Sequence, residues 1–235
     1  MFYKEEVITL DITILLLLPA FLLSLYAQFK VKSTFNKYTK IASTQGKTGA
    51  EVAAQLLNAA DIRDVKIEAT AGNLTDHYDP RDKTVRLSEA VFNQRSLAAL
   101  GVAAHEVGHA IQHNQGYGPL AFRSGLFPVV NIGSRLSMPL LLIGLFLGSG
   151  GFGDWMLYAG ILLFSFTVLF QVITLPVEFN ASSRAISMLQ SERILSESEA
   201  VPAKRVLDAA ALTYVAAAIV SILNLIRFIL IARRR

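Results

Sequence analysis

Ala103-Ala104-His105-Glu106-Val107-Gly108-His109-Ala110-Ile111-Gln112 lies at the centre of Ser96–His113, and that stretch decides how the rest of the chain is read. It is rich in alanine, free of proline, and opened by a serine suited to cap a helix, so a continuous α-helix is predicted. On such a helix His105 and His109 stand about 40° apart around the axis and roughly 6 Å apart along it. Two imidazoles so placed converge on one tetrahedral zinc ion at about 2.0–2.1 Å. Glu106, beside the first imidazole, is placed to act as base on a zinc-activated water. In the alternative, a helix whose histidines merely pack, the buried His-Glu-His face leaves costly polar groups. With no cysteine in the chain, thiolate zinc, thiol catalysis and disulfides are excluded.

His113 continues the i+4 series but sits about 12 Å along the axis from His105, too far to share the ion. An extended motif with glycine at 112 and a third histidine at 115 is excluded by Gln112 and Gln115. His113 is therefore expected at the surface or in support of another residue.

Outward from this helix the composition is that of a membrane protein. Hydrophobic residues make up 53% of 235 and charged residues only 17%, and the apolar ones are gathered. Ile12–Phe29 and Ala209–Ile226 carry no charge over eighteen residues each, and Leu136–Leu147 and Trp155–Val177 are bare as well. These lengths approach the roughly 20 helical residues that cross hydrocarbon. The first run follows acidic Glu5, Glu6 and Asp11 and precedes Gln28-Phe29-Lys30, unlike a cleaved signal peptide, so it reads as a retained span. The second region contains Pro128, Arg135 and Pro139 and is expected to kink, with Arg135 turned inward or snorkelling. The Gly148–Asp154 loop turns into a third helix expected to end near Pro176.

Lys30, Lys32, Lys37 and Lys40, with Arg184, Arg193, Lys204 and Arg205, place segments 30–125 and 178–206 on the cytoplasmic side. Four crossings then strand Arg233-Arg234-Arg235 outside. Either the last helix ends at Arg227 and lies partly in the interface, or the whole orientation is inverted. The expected divisions are an N-terminal span (1–29), an extramembrane domain (30–125), a transmembrane hairpin (126–177), a third-ligand helix with linker (178–206) and a C-terminal span (207–235).

Within the extramembrane domain, Thr48-Gly49-Ala50-Glu51 is a capping box. Val65–Ala69 and Thr84–Leu87 alternate like strands, with turns at Gly72-Asn73 and Asp79-Pro80 between them. Gly46-Lys47-Thr48 is no phosphate loop, since Ile41 stands where its first glycine belongs.

A catalytic zinc keeps three protein ligands and one open position. Asp154 is an odd number of crossings from His105, and Glu192, Glu197 and Glu199 lie in what reads as a solvated linker. Glu178, just beyond Pro176, returns to the correct side at membrane level and is the expected third ligand.

The sequence at this point resembles the YugP-type zinc-dependent membrane proteases of bacteria. The resemblance is carried by Ala103–Gln112, Thr48–Ala53, Gly72–Pro80, Val85–Glu89 and Val177–Ser182, and covers most of the chain. The layout is also similar to the HtpX-type membrane gluzincins, in which a transmembrane hairpin separates the histidine pair from a glutamate opening Glu-x-x-Ala-Asp. Glu178–Ala181 fits that pattern and Ser182 replaces the aspartate. Asn180 or Ser182 is then expected to orient a ligand histidine.

The resemblance implies a mainly α membrane protein with a small α+β zincin-like domain. It also implies a zinc endopeptidase of the bacterial cytoplasmic membrane with one Zn2+ per chain and a protein or peptide substrate. By residue type, His77, Tyr78 and Arg184 are candidate transition-state donors; the alternative is that His77–Pro80 is a structural turn. Thr84, Val85, Arg86 and Leu87 would hold an extended substrate by strand addition, or else belong to a core sheet. The competing function is a zinc-stabilised membrane scaffold that cleaves nothing, its metal closed by a fourth ligand such as His77; zinc hydrolysis of a non-peptide bond is a third. The net charge of +4 lacks interleaved aromatics, which argues against nucleic acid and for anionic lipid headgroups. A membrane-protein partner or a second copy of the chain is left open.

Overall fold

The computed structural model describes residues 15–234. Glu5, Glu6, Asp11 and the start of the first apolar run lie outside the described residues, as does Arg235. The elements are α1 (Leu17–Tyr38), α2 (Gly49–Ala59), β1 (Lys66–Thr70), β2 (His77–Asp79), β3 (Thr84–Ser88), α3 (Glu89–Phe92), α4 (Leu97–Asn114), α5 (Gly118–Phe146), α6 (Phe152–Ser191) and α7 (Glu197–Arg233). The fold is mainly helical with one three-stranded sheet. Among the described residues α5, α6 and α7 are long and apolar enough to cross a membrane; α1 is not one of these.

Contacts divide the chain into two compact units. One comprises the described parts of 1–26, 126–172 and 215–235. Its interior is small, built on Leu141, Leu157, Phe228 and Ala232, while Leu136, Phe146, Trp155 and Leu162 are exposed as lipid-facing side chains would be. A Cβ at Gly144 would lie 2.6 Å from the Leu157 nitrogen, so the α5 and α6 backbones approach there more closely than any side chain allows. Arg135 is exposed on α5 rather than turned inward.

The other unit, Ala27–Gly125 with Ile173–Tyr214, holds the histidine helix. Thr48 caps α2 in a full capping box with Glu51, and Ser96 caps α4 by accepting from the Ala99 N–H. α4 is central: Leu100, Ala103, Ala104 and Val107 are fully buried against Leu56, Val85, Leu87, Val91 and Leu189. Burial of each such leucine or valine contributes roughly 1.5–3 kcal/mol, which fixes the rotation of α4 and hence where its histidines point.

Several expectations need correction. β3 is not an edge: the strand order is β1-β3-β2, β1 pairing parallel and β2 antiparallel to it. Thr84, Val85 and Arg86 have neighbours on both sides, and Val85 and Leu87 are fully buried. The alternation of Thr84–Leu87 therefore reports core sheet, and substrate strand addition to it is ruled out because both edges are taken. His77–Asp79 is an edge strand with the turn after it, not itself a turn. α6 does not stop near Pro176 but runs on to Ser191, since an interior proline is tolerated where neighbouring helices support the backbone. Likewise α7 does not end at Arg227 but continues to Arg233.

Glu199 is not part of a solvated linker either. It is buried, and its carboxylate accepts from Thr44 N and Oγ1 and from Ser196 N and Oγ, which caps α7 and ties it to the loop before α2.

Candidate metal centre

The burial of α4 presents His105 and His109 on one face, and the part of α6 beyond Pro176 runs alongside. Gly108 makes the approach possible: a Cβ there would sit 2.8 Å from the Ala181 carbonyl oxygen, so the two backbones touch at this residue. One turn before Ala181, Glu178 reaches the histidines.

Three atoms form a tight triangle. His105 Nε2 lies 3.1 Å from His109 Nε2 and 3.2 Å from Glu178 Oε2, and His109 Nε2 lies 3.5 Å from the same oxygen. Ligands placed tetrahedrally at 2.0–2.1 Å from one centre are about 3.3–3.4 Å from each other, which matches these edges. Two imidazole nitrogens and a carboxylate oxygen are also the donors zinc prefers, and among the described residues His105, His109 and Glu178 form the one such group. The residues therefore fit a zinc ion. His77 is not in the group.

Each member is held from behind. Ser182 Oγ lies 3.1 Å from His105 Nδ1 and Gln112 Oε1 lies 3.0 Å from His109 Nδ1. With each Nε2 turned to the metal, each Nδ1–H donates to these oxygens. Gln112 is itself fixed, its Nε2 donating to Val177 O (2.8 Å) and Asn180 Oδ1 (2.9 Å), and Asn180 accepts a further bond from Arg184 Nε (2.8 Å). Ser182 thus bears on one histidine directly, and Asn180 on the other through Gln112. Arg123 Nη1 donates to Glu178 Oε1 at 3.2 Å, leaving Oε2 to face the histidines.

Glu106 is buried, and burial holds its carboxyl above the usual range against the partial offset of His105 and His109. With His105, Glu178 and Ser182 it borders a cavity whose other walls include Val31, Leu207, Ala210 and Ala211. Asp76 and Tyr214 also face this space. Burial raises Asp76 as well, opposed by the bonds it accepts from Ser88 N and Oγ.

The sequence-selected donors are employed elsewhere. His77 is exposed, with Nδ1 2.8 Å from Thr75 O. The Tyr78 phenol is pushed up to about 12 by burial and by the charges of Asp64, Asp79 and Asp82, so its hydroxyl remains a donor, to His113 Nδ1 at 2.8 Å. Arg184 is engaged with Asn180 and Gln115. None of the three borders the cavity. Sequence reasoning missed Arg123, Gln112 and Tyr214. Arg123 is the one charged residue between His113 and Arg135, and Tyr214 is a lone phenol inside the Ala209–Ile226 run; each was a signal in plain view.

A protein-family model described as "Putative neutral zinc metallopeptidase" matches residues 13–233. The chain is similar to the "Putative membrane protease YugP" of Bacillus subtilis (strain 168), 51% identical over 218 residues that cover 93% of this chain and 95% of that protein. No solved structure matches it. With the match spanning nearly the whole chain, the protein belongs to this neutral zinc metallopeptidase family.

Proposed function

We propose that this chain is a zinc-dependent endopeptidase of the gluzincin type, hydrolysing peptide bonds of membrane or membrane-proximal proteins. The observation that carries the reading is the triangle of His105, His109 and Glu178, with Glu106 beside it on the same cavity. A zinc ion held there, one per chain, supplies Lewis acidity toward a carbonyl oxygen and lowers the pKa of water. Glu106 takes the proton from the attacking water and delivers it to the leaving amine. Ser182, Gln112 and Arg123 hold the ligand side chains in register, and Tyr214 offers the hydroxyl for the oxygen on which charge develops. The apolar wall of Val31, Leu207 and Ala211 keeps bulk water from the reacting bond.

The family and the apolar helices α5–α7 support a place in the bacterial cytoplasmic membrane. The lysines at the end of α1, with Arg184, Arg193, Lys204 and Arg205, favour the cytoplasmic side for the catalytic unit. On this reading 1–29, 126–177 and 207–235 are the membrane segments, and 30–125 with 178–206 form the catalytic part.

The test is Glu106→Gln in the full chain. Zinc content stays at one per chain while cleavage of an unfolded or membrane-anchored reporter falls by at least about 10²-fold, the contribution of a positioned general base. The same variant, kept in membranes, should retain its substrates for identification. Undiminished cleavage by Glu106→Gln would refute the proposal.

A further inference from the structure

A second cavity opens between α1 and the stretch of α7 from Arg205 to Leu212, separate from the metal cavity. Lys30, Ser33, Thr34 and Lys37 line it from α1, a spacing of three and four that sets them on one helix face. Arg205 and Asp208 line it from α7.

Its electrostatics are one-sided. Asp208 is matched by Lys204, whose Nζ lies 2.8 Å from both carboxylate oxygens. Among the described residues, Lys30, Lys37 and Arg205 form no ion pair with a carboxylate. Arg205 Nη1 instead donates to the buried Tyr38 hydroxyl at 3.1 Å, and Lys37 Nζ stands 5.3 Å from the Tyr38 ring centre. The Tyr38 phenol is drawn below its ordinary value, first by the Arg205 bond, against burial, and then by the charges of Arg205, Lys37 and Lys30 together. Three cations therefore act on one small volume whose single carboxylate, Asp208, is already engaged by Lys204, an arrangement that leaves mutual repulsion for a ligand to relieve.

The position along both helices identifies the ligand's surroundings. On α1 the exposed apolar residues Leu22, Leu25, Tyr26 and Phe29 stop where Lys30 begins. On α7 the charges end at Asp208 and the uncharged run starts at Ala209. Both helices change from apolar to charged at the level of this cavity, as chains do at the boundary between hydrocarbon and water.

We propose that this cavity binds a phosphate group, that of an anionic phospholipid headgroup, between Lys30, Lys37 and Arg205, with Thr34 as a hydroxyl donor. The site is independent of the metal centre and of what the enzyme cleaves.

Native mass spectrometry of the full chain in neutral detergent tests this, with phosphatidylglycerol, phosphatidylcholine and inorganic phosphate as probes. Wild type should retain one phosphatidylglycerol in preference to phosphatidylcholine, with millimolar phosphate failing to displace it. Loss of one cation near an anionic headgroup weakens binding roughly fivefold, so Lys37→Gln/Arg205→Gln should bind about 25-fold more weakly. Lys37→Gln alone, at an exposed position that does not threaten folding, should lose about fivefold. Lys40→Gln, which does not line the cavity, should bind as wild type does. The proposal is overturned if these cavity variants retain phosphatidylglycerol fully, if phosphatidylcholine binds equally well, or if inorganic phosphate displaces the lipid, which would assign the site to the free anion.

Discussion

Replacing Gly108 by alanine tests whether the metal centre depends on the contact between α4 and α6. The added Cβ would lie 2.8 Å from the Ala181 carbonyl oxygen and 3.2 Å from its Cα, where ordinary contact begins at 3.4 Å. Relief requires α6 to retreat by about 0.6 Å (3.4 − 2.8). Carried to Glu178, one turn away, the same shift lengthens the 3.2 and 3.5 Å edges of the triangle toward roughly 3.8 and 4.1 Å. Tetrahedral zinc wants about 3.3–3.4 Å, and a metal site tolerates only about 0.2 Å of error per bond. Overpacking of this kind costs about 1–3 kcal/mol, and taken from binding it weakens zinc by about 5- to 150-fold. The sign is diagnostic, because in an isolated helix alanine is about 1 kcal/mol more favourable than glycine. Competition for zinc between the purified full chain and a chromophoric chelator measures the affinity, with thermal unfolding of both proteins as the control for global damage. A folded Gly108→Ala protein that holds zinc as tightly as wild type would show that α6 is not positioned by this contact.

Other outcomes follow from the same geometry. Ser182→Ala removes the acceptor behind His105 and should weaken zinc by about 10- to 100-fold, measured by the same competition, while leaving the fold intact. Tyr214→Phe should lower kcat by about 10²- to 10³-fold with zinc content and KM little changed; a loss expressed mainly in KM would give Tyr214 a substrate-binding role instead. The Asp79 carboxyl is held well below the usual carboxylate range by the Arg81 side chain and then by the Arg81 backbone N–H. A depressed folded value means that this stabilisation is present above about pH 4, the unfolded value, and is lost as pH falls through the folded one. The Tm of Asp79→Asn should therefore lie below wild type at pH 6, with the gap narrowing by pH 3; a constant gap would contradict the linkage.

How much of this was legible depended on whether a feature is local. The α4 helix, its Ser96 cap and the Thr48 capping box are written in residues three or four apart, and they appear where that spacing predicts. Glu178 was reachable by parity and depth: counting apolar runs brings several carboxylates back to the side of His105, Glu178 alone at membrane level, and the structure sets it 3.2 Å away. Alternation in Thr84–Leu87 reported burial but could not say which strands flank it, because strand order is decided by pairing outside the segment. Pro176 read as a stop since proline removes a helical hydrogen bond, yet tertiary support carried α6 through it. Ser196–Glu199 shows the opposite failure, a local Ser-x-x-Glu signal passed over because the surrounding polarity resembled a linker. Arg123 and Tyr214 had local signals as well, but only a fold can show what a lone polar group faces.

The separation of 73 residues between His105 and Glu178 has a consequence in time. At a synthesis rate of about 5–20 residues per second, the ribosome delivers Glu178 roughly 4–15 s after His105. Over most of that interval α4 and the three strands are complete while α5 and then α6 are still being made. A nascent chain therefore holds its histidine pair before the carboxylate that completes the triangle. The triangle is thus completed only once the part of α6 beyond Pro176 reaches α4.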